Sequence, residues 1–492
     1  MKTSAKISLV IIYFLIMAKA ALAQPSDVLW TRSYGGEGLE YCHTIISTLD
    51  GGFAVTGTTE SNTAGFTDMW LVKVDENGDE SWTGLYGGSY YELGSSVVQT
   101  SDGGYALVGC VSDNGPIYEY YDMWLVKIDS EGNELWSQSY GGAGWDYGVD
   151  LQETADGYIL TGHTDSFGGG IGSNIWLLKT DHEGDEIWSQ TYNYEIDDEP
   201  SRVIKTSDGG FLILGIVWVR NRPYYNTNLC VIKTDSFGNE LWVYHSGSNV
   251  YSDSGSQVLE TVDGNYMIIG STGTYATDSS DIWLIKIDQN GDEIWSRTYN
   301  ETGSERGYGI QEANNGYFIV GTKDLFGDDE SIWVIRTDAE GVMIWSDYIY
   351  NVLPMSLSRI YTAEPTQEGS FVLGANDSPI NGDTWLSRLT PTYLGMENGS
   401  FDDKDYQFAV DIYPNPFNPS TTVSINLPAP SGLRVSIFNT VGQEVATLAD
   451  GDYPVGNHDF TFDGTGLTSG IYFVQATDSG GLHEVRKIVL LK

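Results

Sequence analysis

A unit of about 53 residues is repeated seven times along most of this chain, and this period limits the possible folds more than any other feature. One tryptophan recurs at intervals of 50 to 54 residues, at Trp30, Trp82, Trp136, Trp188, Trp242, Trp295 and Trp345. A second ladder consists of Trp70, Trp124, Trp176, Cys230, Trp283, Trp333 and Trp385. A third consists of Gly57, Gly109, Gly162, Gly215, Gly270, Gly321 and Gly374. In such a chain, each unit packs against its neighbours.

Within each unit the pattern predicts four β-strands, named a to d in chain order. "SSVVQTSDGGYALVGC" contains two runs of strand-forming residues separated by Asp102-Gly103-Gly104, which is a hairpin signal. "MWLVKIDSEGNELWSQSY" is a second hairpin that turns over residues 129–132. Four antiparallel strands in each repeat are typical of one blade of a β-propeller. No segment has a convincing helical period.

The two ends of the repeat region predict how the propeller closes. Trp30 lies on a d-type strand that no a, b or c strand precedes, whereas the last unit has "RIYTAEP", "SFVLGA" and "TWLSRL" and then stops. The N-terminal strand would therefore complete the seventh blade and leave no open sheet edge. We predict an all-β, seven-bladed β-propeller over residues 24–391, with the ladder tryptophans packed between blades.

The stretch D-x-x-G-x-x-x-W, as in "DSEGNELW" and "DQNGDEIW", is similar to the tryptophan-docking motif of quinoprotein-like propellers. The whole unit resembles the secreted repeat propellers of gliding and marine bacteria. Quinoprotein dehydrogenases would imply a quinone cofactor, usually together with a vicinal Cys-Cys pair. This chain has three cysteines, Cys42, Cys110 and Cys230, and no such pair. Their odd number also argues against a disulfide framework.

The first 23 residues have the composition of a secretory signal peptide. Lys2 and Lys6 precede the apolar stretch 7–17, and Ala21-Leu22-Ala23 predicts cleavage between Ala23 and Gln24. No later apolar run approaches the length of a membrane-spanning helix. The net charge of -44 argues against binding to nucleic acid and favours either solubility outside the cell or attraction of cations such as calcium.

Residues 392–407 are polar and acidic and predict a linker, and residues 408–492 predict a small Ig-like β-sandwich. This last segment resembles the C-terminal sorting domain, type A, of type IX secretion substrates. The resemblance implies the secretion machinery as a partner, passage across the outer membrane, and either removal of the domain or anchoring at the cell surface. It is carried by "YPNP", "SIFNTVGQEV", "GLTSGIYFVQ" and "KIVLLK", and within these by Tyr413, Pro414, Asn415, Pro416, Gly442, Gly470, Tyr472, Lys487 and Lys492.

Any ligand is expected on the face formed by the long, variable d–a and b–c loops. Both tryptophans outside the ladders lie in or beside these loops, where tyrosines are also frequent. Aromatic rings flanked by acids suit either carbohydrate or a protein partner, although they could also cover the rim without binding anything. The candidate ligand-binding residues are Trp145, Trp218, Tyr90, Tyr91, Tyr120, Tyr121 and Tyr147.

A carboxylate recurs ten residues after most d-strand tryptophans, where the innermost strand begins. The set is Glu40, Glu92, Asp146, Asp198, Asp253 and Glu305, with Asp253 one position late. One interpretation is a ring of acids that attracts calcium or a cationic ligand. The other is a hydrogen bond that caps each strand, because a feature of nearly every blade is more often structural.

We therefore predict an exported, cell-surface or secreted propeller that acts as a monomeric, non-enzymatic module for binding or display, with polysaccharide or a surface protein as ligand. Calcium is the one metal considered, and no cofactor is predicted. The alternative is a secreted enzyme, such as a glycan lyase or hydrolase, or a quinoprotein-like oxidoreductase. No G-x-S-x-G, H-E-x-x-H or phosphate-binding loop motif occurs in the sequence, and we assign no catalytic residue.

Overall fold

A computed structural model describes residues 28–112, 120–169, 172–221, 224–246, 251–274, 279–300, 303–313, 316–325, 329–349, 359–366, 370–376, 382–389, 409–427, 431–453, 456–478 and 483–491. All regular structure in these ranges is β-strand. The predicted signal peptide with its cleavage site at Ala23 and Gln24, the linker 392–407 and Lys492 lie outside them. Within these ranges no helix is long and apolar enough to cross a membrane.

Twenty-eight strands form seven four-stranded antiparallel sheets, as the repeat predicts. The first strand, β1 (Val28–Tyr34), is followed by sheet 1, which contains β2 (Glu40–Ser47), β3 (Phe53–Thr59), β4 (Asp68–Val74) and β5 (Glu80–Tyr86). Sheet 2 contains β6 (Glu92–Gln99), β7 (Tyr105–Val111), β8 (Asp122–Ile128) and β9 (Glu134–Tyr140). Sheet 3 contains β10 (Asp146–Thr154), β11 (Gly157–Thr164), β12 (Asn174–Thr180) and β13 (Glu186–Tyr192).

The remaining sheets have the same strand order. Sheet 4 contains β14 (Asp198–Lys205), β15 (Phe211–Asn221), β16 (Tyr224–Thr234) and β17 (Glu240–His245). Sheet 5 contains β18 (Tyr251–Glu260), β19 (Tyr266–Thr274), β20 (Ser279–Ile287) and β21 (Glu293–Tyr299). Sheet 6 contains β22 (Ser304–Ala313), β23 (Gly316–Leu325), β24 (Asp329–Asp338) and β25 (Met343–Ile349). Sheet 7 contains β26 (Arg359–Pro365), β27 (Phe371–Asn376) and β28 (Thr384–Leu389) and takes its fourth strand from elsewhere.

The N-terminal strand supplies that fourth strand, which confirms the predicted closure. Sheet 7 has the order β1-β28-β27-β26, and Thr31 pairs with Ser387 in the antiparallel ladder between β1 and β28. Sheet 7 also contacts sheet 1, since the Cys42 backbone N–H donates to Asn376 Oδ1 at 2.8 Å. The propeller therefore closes on itself with seven blades.

Five outer strands, β1, β5, β9, β13 and β17, are each fixed to the next blade by a tryptophan. The Trp82 ring contacts Tyr105 on β7 at a centroid distance of 5.9 Å. The same ring fills the space beside Gly132, where an added Cβ would lie 2.8 Å from it. Gly132 also has φ of 87°, a conformation that favours glycine. The D-x-x-G-x-x-x-W motif thus combines a turn glycine with the tryptophan that docks on the next turn.

A tyrosine four residues after the docking tryptophan strengthens the same contact. The Tyr86 hydroxyl donates to the Gly132 carbonyl oxygen at 2.9 Å, and the Tyr192 hydroxyl donates to the Gly238 carbonyl oxygen at 2.7 Å. Six of the seven outer-strand tryptophans are only partly buried, whereas Trp345 is buried, as are Trp70, Trp124, Trp176 and Trp333 of the other ladder. Cys42, Cys110 and Cys230 are buried free thiols, so they form no disulfide framework.

Within each of the first five sheets a buried lysine of the third strand holds the turn between the first two strands. Lys127 Nζ lies 2.9 Å from Asp102 Oδ2, and it also donates to the Ile128 carbonyl oxygen at 3.0 Å. Burial would raise the pKa of Asp102, but hydrogen bonds from Thr100, Lys127 and Gly104 outweigh it and lower the pKa to about 2. The equivalent pairs are Lys73–Asp50, Lys179–Asp156, Lys233–Asp208 and Lys286–Asp263.

The C-terminal strands form two further sheets, as predicted for a β-sandwich. One sheet has the order β29 (Ala409–Tyr413), β30 (Ser420–Leu427) and β33 (Gly456–Asp463). The other has the order β32 (Glu444–Tyr453), β31 (Ser431–Asn439), β34 (Gly470–Asp478) and β35 (His483–Leu490). Their shared core includes Val423, Ile437, Val474 and Ile488.

The two members of a lysine–aspartate pair should differ in their effect on stability. The Lys127 side chain is 6% exposed and the Asp102 side chain is 60% exposed. Asp102→Ala leaves a buried ammonium without its carboxylate and should lower the free energy of unfolding by about 3 kcal/mol. Lys127→Met leaves a carboxylate that water can solvate, so the loss should be about 1 kcal/mol. Urea unfolding followed by tryptophan fluorescence measures both, and an equal or larger loss for Lys127→Met would contradict this account.

Candidate functional site

The repeated acids lie where the variable loops of one sheet meet the innermost strand of the next. The Glu92 backbone N–H donates to the Thr67 carbonyl oxygen of sheet 1 at 3.0 Å, and that of Asp146 donates to the Tyr121 carbonyl oxygen of sheet 2 at 2.8 Å. The Asp198 N–H likewise bonds to the Ser173 carbonyl oxygen at 2.9 Å. Each acid therefore marks a junction between two neighbouring blades on the variable face.

The carboxylates of this set are buried rather than open to solvent. Glu40, Glu92, Asp146, Asp198, Asp253 and Glu305 are between 0% and 2% exposed. Asp146 accepts from the Gly142 N–H at 2.8 Å and from Ser166 Oγ at 2.6 Å, and Asp253 accepts from Ser246 Oγ at 2.7 Å. These are contacts of the kind that capping requires. In the part of the chain that is described, no three His, Cys, Asp or Glu side chains form a metal-binding group. Calcium binding by the set stays a prediction.

A second acid faces three of these carboxylates across a glycine. A Cβ on Gly87 would lie 2.6 Å from Asp68 Oδ1 and 2.7 Å from Glu92 Oε2, so the Tyr-Gly-Gly sequence leaves space for a carboxyl pair. Gly35 lies in the same way between Glu40 and Asp383, and Gly141 between Asp122 and Asp146. Burial raises the pKa of both Asp68 and Glu92, and the charge of Asp68 raises that of Glu92 further. At the junction between sheets 3 and 4, Asn193 donates to Asn174 instead.

Replacing one acid of such a pair should stabilise the protein at neutral pH. A carboxyl whose pKa is raised by folding destabilises the folded state above that pKa and has no effect below the pKa of the unfolded chain, about 4. Asp68→Asn keeps the acceptor for the Ala64 N–H, places a donor near Glu92, and should add about 1 kcal/mol at pH 7. The gain should vanish as the pH falls to about 4.

Thermal unfolding between pH 3 and pH 8 measures this dependence, with Asp50→Asn as a control of opposite sign. Hydrogen bonds from Lys73, Thr48 and Gly52 outweigh burial and lower the pKa of Asp50 to about 2. Its replacement should therefore destabilise the protein at pH 7, with an effect that shrinks only as the pH falls from about 4 towards 2. Destabilisation by Asp68→Asn at pH 7 would contradict the pairing argument.

Three of the predicted aromatic residues form one cluster at the junction of sheets 2 and 3. The ring centroids of Tyr121 and Trp145 are 5.8 Å apart, those of Tyr121 and Tyr147 are 5.3 Å apart, and Tyr147 lies 4.8 Å from the His163 ring. Tyr121 is buried beneath the others, whereas Trp145 is 37% exposed. We call Tyr121, Trp145, Tyr147, His163 and Trp218 the aromatic sector.

Trp218 joins this sector through an acid that the sequence analysis did not single out. Its indole Nε1 donates to Glu199 Oε1 at 3.1 Å, and Glu199 also acts electrostatically on His163. Burial lowers the pKa of His163, and the negative charge of Glu199 opposes this shift. The sector therefore extends over sheets 2, 3 and 4, and Glu199 lies beside the Trp218 ring.

The other predicted aromatic residues lie nearer to sheets 1 and 2. Tyr91 stacks on Phe66 with a centroid distance of 4.6 Å and an interplanar angle of 9°, and the Tyr90 carbonyl oxygen accepts from the Phe66 N–H at 2.8 Å. Tyr120 is 45% exposed and precedes Tyr121. Phe66 and Glu199 were not predicted from the sequence. Glu199 could have been found from its position directly after a repeated acid, where the residue type differs from sheet to sheet.

The sorting-motif residues stabilise the edge of the C-terminal sandwich. Asn415 Nδ2 donates to the Lys487 carbonyl oxygen at 2.9 Å, and Asn415 Oδ1 accepts from the Val489 N–H at 2.9 Å, so this side chain pairs with β35 as a strand would. Tyr413, Pro414 and Pro416 are exposed beside it, and Gly442 turns a hairpin with φ of 81°. Gly470 begins β34, and the Tyr472 hydroxyl donates to the Thr468 carbonyl oxygen at 2.9 Å.

Residues 411–491 match the family described as the secretion system C-terminal sorting domain. No curated protein matches the chain. Among solved structures, PorZ, a surface component of the type-IX secretion system of Porphyromonas gingivalis, is 13% identical with a TM-score of 0.40, over 93% of this chain and 60% of that chain. A Bacteroides caccae protein of unknown function is 13% identical with a TM-score of 0.36, over 58% and 93% of the respective chains. The β-propeller domain of the Pyrococcus furiosus Trilobed protease is 10% identical with a TM-score of 0.40, over 75% and 100%.

The matched domain indicates where the protein acts. A C-terminal sorting domain of this type directs export by the type IX secretion system to the cell surface or the medium. The protein is thus a seven-bladed β-propeller that is sorted by its C-terminal domain and works outside the cell.

Proposed function

We propose that the propeller is a non-enzymatic surface module that binds a polysaccharide through the aromatic sector. The observation that carries this proposal is the continuous group of rings from Tyr121 to His163, which has Trp145 as its exposed member. The apolar face of a pyranose ring packs well on such side chains, and nearby acids accept hydrogen bonds from sugar hydroxyls. Glu199, which is held by Trp218, supplies an acceptor of this kind.

The position of the sector supports binding rather than packing alone. Every sheet carries a tryptophan of the outer-strand ladder, and sheets 1 to 6 each carry the turn glycine between their third and fourth strands, whereas Trp145 and Trp218 lie outside the ladders. A rigid scaffold that varies only in its loops and strand ends is a common way to present a ligand site. Binding needs no activated nucleophile, and in the described sector the single histidine has a pKa that burial has lowered.

The test is a glycan array probed with the whole secreted protein, first with calcium and then with a chelator. We expect selective binding to polysaccharide, with an apparent affinity about tenfold or more weaker in Trp145→Ala and in Trp218→Ala. Phe237→Ala is the matched control, because Phe237 is 66% exposed but lies in a turn between the third and fourth strands.

Each outcome of the array bears on a separate statement. Equal loss in Phe237→Ala, or an empty array, would contradict saccharide binding by the sector, and an empty array would favour a surface protein as ligand. Loss of binding in chelator would support calcium binding by the buried acids. Turnover of a bound glycan would instead support the enzymatic alternative.

A further inference from the structure

A cavity of about 340 Å³ lies against the innermost strands of sheets 5 and 6 and extends to Thr227 of sheet 4, whose ladder partner is Trp218 of the aromatic sector. Its walls are mostly hydroxyl side chains, among them Ser252, Ser254, Ser271 and Ser280, together with one charged residue, Arg306. The volume is within the range of small-molecule sites, and a polar cavity of this size is filled with exchangeable water when no ligand is bound.

The cavity exists because sheet 5 has small side chains at positions where sheet 3 has large ones. Tyr147 pairs with His163 between the first two strands of sheet 3, and Ser254 pairs with Ser271 at the equivalent point of sheet 5. Trp145 and Ser252 likewise stand directly before the repeated acid. Three positions that hold large rings in sheet 3 therefore hold serines in sheet 5, and the space of those rings is left as a hydroxyl-lined cavity.

Several of these hydroxyls have unused hydrogen-bonding capacity. For the side-chain hydroxyls of Ser252, Ser254, Ser256 and Ser271, the described residues supply no hydrogen-bond partner. Ser280 Oγ, by contrast, is fixed at 2.9 Å from Ser304 Oγ and donates to the Glu305 carbonyl oxygen at 2.9 Å. One wall is thus ordered and the other offers free donors and acceptors to a polyhydroxylated ligand.

Arg306 gives the cavity a positive charge in a strongly acidic protein. The chain has 68 acidic and 24 basic residues, yet over the described ranges the Arg306 guanidinium has no carboxylate partner. The adjacent acids, Asp253 and Glu305, are 2% and 0% exposed and are not among the residues that line the cavity. Asp253 is already bound by Ser246 and Thr272. The lining therefore presents one guanidinium and no carboxylate.

We propose that this cavity binds an acidic sugar, a hexuronic acid unit whose carboxylate pairs with Arg306 and whose hydroxyls bond to the serines. A guanidinium forms two parallel hydrogen bonds with a carboxylate, and serine hydroxyls can both donate to and accept from sugar hydroxyls. Tyr308, at the same wall, adds a ring surface. The inference concerns a second site and goes beyond the proposed binding at the aromatic sector.

Calorimetric titration of the whole secreted protein tests this inference at constant ionic strength. The probes are D-glucuronate and D-galacturonate, with glucose, galactose and inorganic sulfate for comparison. We expect one uronate to bind about tenfold or more tightly than its neutral counterpart, a preference that Arg306→Gln removes. Ser254→Tyr should abolish binding, and it introduces the residue that sheet 3 carries at the equivalent position.

Two controls separate this site from other effects. Arg32→Gln replaces an exposed arginine that is paired with Asp79, and Phe237→Ala replaces an exposed ring in a turn of sheet 4, so both should leave uronate binding unchanged. The proposal is overturned by the absence of uronate binding, by equal binding of neutral sugars, by sulfate binding as tight as uronate, or by an unchanged affinity in Arg306→Gln. Saccharide binding that persists in Ser254→Tyr belongs to a surface outside the cavity and is subtracted before these comparisons, so this proposal and the one for the aromatic sector fail independently.

Discussion

The docking of one tryptophan on the turn glycine of the next blade is the contact on which the propeller depends. In five consecutive junctions the ring of the outer-strand tryptophan occupies the space where the glycine lacks a side chain, from Trp30 on Gly78 to Trp242 on Gly291. The glycine also needs its positive φ. The glycine therefore allows both the turn conformation and the packing of the tryptophan ring, which explains why the sequence repeats glycine and tryptophan at a fixed distance.

The first of these junctions is also the one that closes the ring. Trp30 lies on β1, which belongs to sheet 7, and its ring packs on Phe53 and Gly78 of sheet 1 as the other tryptophans pack on their neighbours. The β-ladder joins residues about 350 positions apart in the chain, such as Thr31 and Ser387, and the aromatic contact joins Trp30 to Phe53 of sheet 1. In a closed ring every blade packs between two neighbours, so the loops and strand ends of one face can vary without loss of the scaffold.

The sequence predicted the blades and turns that recur in the repeat. It did not predict the side-chain contacts that depend on how strands pair. The period, the hairpin turns and the unmatched first strand were sufficient for seven blades, and the odd number of cysteines agrees with three free thiols. The sequence predicted that the ladder tryptophans pack between blades, but six of the seven outer-strand tryptophans are only partly buried because they cover turns at the outer strands. The link from Trp218 to Glu199 and the serine cavity arise from pairing across strands and sheets, which composition does not reveal.

The most direct test of the account is a disulfide across the closing ladder. Thr31 pairs with Ser387, and their hydroxyl oxygens are 3.0 Å apart, so Thr31→Cys with Ser387→Cys should crosslink on mild oxidation. The native cysteines are buried, and Ser33→Cys with Ser387→Cys is an offset control, because Ser33 pairs with Trp385. Closure predicts a product that migrates faster on non-reducing gels and melts at a higher temperature. No crosslink, or equal crosslinking in the offset pair, would contradict the closed seven-bladed ring.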